Sequence, residues 1–198
     1  MFAEFIDIPI SGQYPEKHFG RITSECLWVK FMDKDYEEWV GSFQQCWDGH
    51  GTFIINLDKK EKAFIVSGGQ TFLVDISTRE QLNRTEISDT KTAIADNEQN
   101  NIYYSSGFDL RSMDENGNDF ILFDNYYFDD IKLVEIKENK LYATYWNYQA
   151  RNEPFHFEIN LITKEVNDSY YDFERKEYFK QSQKQSLMKR LTKWIKMK

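Results

Sequence analysis

The chain has 198 residues, 40% hydrophobic and 17% aromatic, which suits one domain of ordinary size with a substantial core. Its 16 Phe, 12 Tyr and 5 Trp exclude a disordered chain, and 9 Gly with 3 Pro exclude a collagen-like or linker-rich one. The formal net charge of -8 is uneven: residues 180–198 hold seven Lys or Arg and no acid, leaving 18 basic against 33 acidic side chains, or -15, on the remainder. A field of that sign repels nucleic acid and anionic membranes and attracts basic partners.

Cys26 and Cys46 make neither a disulfide framework nor a zinc site, and their apolar neighbours Leu27, Trp28 and Trp47 predict buried free thiols. The segment from Met1 to Asp7 carries two acids and no basic region, unlike a signal peptide. No apolar run approaches the ~18–20 residues of a membrane span. The expected compartment is the cytoplasm.

In chain order, short apolar runs rich in β-branched and aromatic residues predict strands over Phe2 to Ile10, Cys26 to Met32, Trp39 to Phe43, Phe53 to Leu57, Phe64 to Ser67 and Phe72 to Ile76. Further strands are predicted over Thr92 to Ala95, Ile102 to Ser105, Phe108 to Arg111, Phe120 to Phe123, Ile131 to Ile136, Leu141 to Trp146 and Phe155 to Leu161. Between them lie residues that tolerate positive φ, such as Gly68-Gly69, Gly107, Asn116-Gly117-Asn118 and Glu138-Asn139, which close hairpins. Strand and turn at this density predict an all-β, mostly antiparallel body over residues 1–173.

Three hairpins, beginning at Phe64, Ile102 and Leu141, are spaced by 38 and 39 residues, and a strand precedes each. Units of that length resemble the blades of a degenerate β-propeller over Trp39 to Val166, with the N-terminal strands supplying a fourth. A β-sandwich or a partly open barrel is the alternative. Over residues 174–198, Leu187, Met188, Leu191, Trp194 and Ile195 form one apolar stripe at helical spacing, with lysines around it. This predicts a basic amphipathic helix packed on the β body.

Catalytic and cofactor signals are lacking. His18, His50 and His156 have no partners at ligand spacing, and His156 is expected on the outer face of a strand between Phe155 and Phe157. There is no nucleophile elbow and no phosphate loop, and Ser67-Gly68-Gly69 joins two strands. The expectation is no enzyme, no metal and no cofactor. From Asp114 to Glu138, however, eight acids face only Lys132 and Lys137, with Phe120, Phe123, Tyr126, Tyr127 and Phe128 interleaved. Asp114, Glu115, Asp119, Asp124, Asp129 and Asp130, with Tyr126 and Tyr127 as rigid anchors, are the candidate surface for a cationic protein. The loop from Asp114 to Asp119 lacks the spacing and terminal Glu of an EF-hand.

A small acidic β protein with this acidic-aromatic stretch resembles the immunity proteins of bacterial toxin–immunity systems. That resemblance implies binding to one cognate toxin, most simply a basic nuclease domain, and blockage of its cleft. The alternatives are a propeller-like scaffold that binds a peptide or protein with no toxin involved, and a carboxylate-based glycoside hydrolase. The oligomeric state is left open.

Overall fold

The computed structural model describes residues 2–21, 25–46, 50–57, 60–83, 87–96, 100–106, 108–124, 129–147 and 153–170. The helix expected over residues 174–198 lies outside them. The described chain is all-β, built of four four-stranded sheets, none closed into a barrel. The first sheet contains β1 (Phe2–Ile6), β2 (Glu16–Phe19), β3 (Cys26–Met32) and β4 (Glu38–Gln44), in the order β1-β3-β4-β2. The second is a meander of β5 (Phe53–Leu57), β6 (Lys62–Ser67), β7 (Gln70–Asp75) and β8 (Glu80–Gln81). The third runs through β9 (Thr92–Asp96), β10 (Asn101–Ser105), β11 (Asp109–Met113) and β12 (Asp119–Asp124). The fourth consists of β13 (Asp129–Lys137), β14 (Lys140–Trp146), β15 (Phe155–Asn160) and β16 (Val166–Asp168). Every described pairing is antiparallel except β2 with β4.

The repeat read from the sequence marks β6, β10 and β14, the second strands of the last three sheets. The first strands adjoin one another in sequence: β1 with β5, β5 with β9, β9 with β13. The sheets therefore follow one another as blades do, and apolar cores fill the spaces between them. One core joins the first and second sheets through Phe19, Phe31, Trp39, Phe43, Ile65 and Phe72. Another joins the second and third through Phe64, Val66, Leu73, Ile102, Tyr104 and Met113. The last joins the third and fourth through Tyr103, Leu110, Leu141, Tyr145, Phe157 and Ile159.

This layering explains why β6 is an unbroken apolar run rather than an alternating one. A sheet covered on both faces needs apolar side chains at both phases of the pleat. Ala63 and Ile65 point to the first sheet, Phe64 and Val66 to the third. In β4 the inward phase is Trp39, Gly41, Phe43. A Cβ on Gly41 would lie 2.8–3.1 Å from ring carbons of Phe43, Phe19 and Phe31, so glycine lets the aromatic cluster close over the backbone. Trp39 stacks on Phe31 at 4.1 Å between centroids and donates from Nε1 to the Ile76 carbonyl across the sheet boundary at 3.0 Å.

Polar links reinforce each boundary. The Asn56 side chain accepts from Ala3 N at 2.7 Å and donates to Ala3 O at 3.1 Å, tying β5 to β1. Lys62 Nζ donates to the Glu115 carbonyl at 2.7 Å, and Ser105 Oγ donates to the Ile131 carbonyl at 3.1 Å. At the β6–β7 turn, Gly69 has φ +86° and a Cβ there would meet the Ser88 carbonyl at 2.6 Å. Both conditions select glycine. The cysteines differ from expectation in burial: both are half-buried rather than buried. Cys26 opens β3 on the phase opposite to Leu27, Val29 and Phe31, which face the core.

Candidate functional site: the outer side of the third sheet

Strand β12 runs through the middle of the acidic stretch and divides it. Asp114 and Glu115 lie in the β11–β12 turn, Asp119 at the start of β12, Asp124 at its end, and Asp129 and Asp130 at the start of β13. At ~3.3 Å per residue, Asp119 and Asp124 stand roughly 16 Å apart along the strand. Asp119 and Asp124 thus stand at the two ends of β12, whereas Asp129 and Asp130 form a second group that opens β13 beside β9, at the other edge of the third sheet. Tyr126 and Tyr127 lie outside the described residues, as does the Asp124 side chain.

The first group is largely engaged within the fold. Asp114 Oδ1 accepts from the amides of Asn116 and Asn118, both at 2.9 Å, and Oδ2 accepts from Asn118 Nδ2 at 2.8 Å. Partial burial works against the Asp114 carboxylate, but these donors outweigh it and hold its pKa below the usual value. The carboxylate is thus used to fold its own turn. Glu115 pairs with Lys60 at 2.7 Å, which lowers its pKa. Asp119 is an interior group, its side chain only 3% exposed. It accepts from the Tyr104 hydroxyl and from Arg111 Nη1, while Arg111 Nε reaches Asp109 Oδ2 at 3.1 Å.

Arg111 is therefore a clamp: one planar guanidinium spans two carboxylates on neighbouring strands, the geometry for which arginine is suited. Burial opposes its charge, but Asp109 and Asp119 outweigh that and raise its pKa. Burial, then the bond to Asp119, drives the Tyr104 pKa up, so the hydroxyl stays a donor. Asp89, on the loop before β9, has a raised pKa from burial first and then from the nearby Asp109. The second group is more open. Asp129 is exposed, whereas Asp130 pairs with Lys91 at 3.2 Å and Lys132 at 3.3 Å. Those lysines outweigh the burial of Asp130 and hold its pKa down.

Above the clamp, β12 is the outermost strand of its sheet, and its register on β11 contains a bulge. Arg111 pairs with Ile121 and Leu110 with Phe123, so Leu122 is the extra residue. An added residue shifts the side-chain phase of everything beyond it. Leu122 and Phe123 both pack toward the core shared with the fourth sheet, while Phe120 and Ile121, before the bulge, stay 57% and 54% exposed. Phe120 pairs with Ser112 and Ile121 with Arg111, adjacent positions of β11, so the two side chains flank the strand on opposite faces. The sequence predicts a strand over Phe120 to Phe123, and four successive apolar residues in a strand with one covered face carry the signal that two of them must point away. The clamp at Arg111 was missed. Its signal, Asp-x-Arg within a strand, is short and common.

Among the described residues no group of His, Cys, Asp and Glu is placed to hold a metal ion. No described helix is long and apolar enough to cross a membrane. His156 is exposed on β15, as its alternation with Phe155 and Phe157 predicts.

No protein family matches the chain, and no curated protein matches it. A solved chain from an S. cerevisiae assembly, a dbp5 variant bound to nup159, a gle1 variant, IP6 and ADP, is similar over 78% of this chain at 11% identity, with a TM-score of 0.44. This chain spans 41% of that chain's length, and a likeness of this degree carries no argument about function.

Proposed function

We propose that the chain is an immunity protein, which binds a cognate bacterial toxin domain of basic nuclease type and blocks its active-site cleft. The observation that supports this reading is the outer side of the third sheet. There an edge strand with exposed Phe120 and Ile121 begins at Asp119 and ends at Asp124, on a base fixed by the Arg111 clamp. A cationic cleft is complementary to that arrangement: the carboxylates steer association, and the apolar side chains supply contact area that water gives up on binding. The charge of -15 outside residues 180–198 acts in the same direction at longer range.

The test is co-expression with a toxin domain encoded next to this chain's gene. Growth should be retained with the wild-type chain and lost with Asp124→Lys/Asp129→Lys, with association slowed and its salt dependence flattened. Protection undiminished by the two reversals refutes the acidic-face mechanism; absence of protection by the wild-type chain refutes the immunity role. The exposed edge also favours a peptide-binding scaffold with no toxin, which would bind through the same strand and protect nothing.

A further inference from the structure

An outer strand with unpaired backbone groups is a template for another strand, and proteins commonly blunt such edges by making them short, charged or proline-containing. Three of the four outer strands here are short: β2 has four residues, β8 two and β16 three. The fourth, β12, has six, Asp-Phe-Ile-Leu-Phe-Asp, with no Lys and no Pro, and among the described residues it pairs only with β11. The two large apolar side chains exposed on it flank the strand on opposite faces, where an added strand would cover both.

From this we infer that β12 accepts an extended, basic segment of the partner protein as a fifth strand of the third sheet. The inference rests on the binding role proposed above and specifies how that surface engages. Charge chooses the occupant. A second copy would bring together two bodies that each carry -15 outside residues 180–198 and repel one another, whereas a basic segment is drawn to that field. Backbone hydrogen bonds then give affinity, while alternating basic and apolar side chains give specificity. The clamp beneath keeps β11 and β12 in place, so the edge is presented without prior ordering.

The probe is a blocked peptide of alternating Lys and Val, used with the full chain. Amide exchange is read by nuclear magnetic resonance. At millimolar peptide, alternate amides of β12 should slow at least tenfold. An acidic counterpart of alternating Glu and Val, and a Lys-Val peptide N-methylated along one edge, should leave them unchanged. Ile121→Lys, at an exposed position, should abolish the protection while leaving the melting temperature of the free chain as it was. Equal binding by the N-methylated peptide, or protection elsewhere than β12, or none, overturns strand addition. So does concentration-dependent protection without peptide, which would make the occupant a second copy. Toxin neutralisation that survives Ile121→Lys overturns strand addition and leaves the immunity role standing. Protection of β12 by peptide, with no toxin neutralised, does the reverse.

Discussion

Arg111→Met isolates the clamp, because Met keeps an apolar stem where the guanidinium arm lay and removes only the charge and its donors. The Asp119 side chain is 3% exposed and would keep the Tyr104 hydroxyl as its donor; Asp109 would lose its 3.1 Å bond from Nε. Removing one partner of a buried pair costs about 3–5 kcal/mol. Arg111 is 16% and Asp109 17% exposed, so water screens part of the loss and the expected cost is near the lower limit, about 3 kcal/mol. For a chain of this size that is a fall in melting temperature of about 6–12 °C. Urea unfolding supplies the free energy. Asp119→Asn in the same background should recover part of the loss, as residues sharing one network do. A loss under about 1 kcal/mol, or one that Asp119→Asn leaves unchanged, refutes the clamp.

Trp39→Ala should cost about 3–5 kcal/mol, because a fully buried indole that stacks on Phe31 and bonds to Ile76 across two sheets leaves a cavity and an unpaired carbonyl; urea unfolding measures it, and a loss below about 1.5 kcal/mol contradicts the packing. Asp168 is buried and accepts from the Tyr145 hydroxyl and the Tyr170 amide, with its pKa raised by burial despite those donors. Its contribution to stability is therefore present at acid pH and lost as pH rises through the folded pKa. Asp168→Asn, which cannot ionise, should gain on the wild type between about pH 4.5 and about pH 7.5; a constant difference between the two proteins contradicts the shift.

The strands that positioned cores were legible, and the ones that were not share a physical reason. Cys26 to Met32 and Phe53 to Leu57 match their predicted bounds, because their apolar content is what the cores consume. The three strands that sequence reading passed over, β2, β8 and β16, are all outer strands: Glu-Lys-His-Phe, Glu-Gln and Val-Asn-Asp. Such strands form because a neighbour offers a ladder of hydrogen bonds, and their own side chains hardly signal it. The same neglect of pairing explains the order of the first sheet. Glu16 to Phe19 returns beside β4 rather than beside β3, and no local feature of those residues fixes that choice.

The candidate site shows the matching limit for charge. Counting acids along Asp114 to Asp130 found a region rich in carboxylates, but a count cannot distinguish a carboxylate that folds a turn from one that meets a partner. Asp114 holds the amides of Asn116 and Asn118, Asp119 anchors Arg111, and Asp130 bridges Lys91 and Lys132. A carboxylate already bonded within the fold has less to gain from an incoming lysine. It contributes field rather than contact, and field acts chiefly on the rate of encounter. Contact must then come from groups the fold leaves unsatisfied. On the third sheet these are the edge of β12 that no other described strand pairs and the side chains of Phe120 and Ile121, which the bulge at Leu122 keeps out of the core. Steering by the acids and holding by the strand are therefore separable: raised salt should slow association with a basic partner, whereas Ile121→Lys should speed its dissociation.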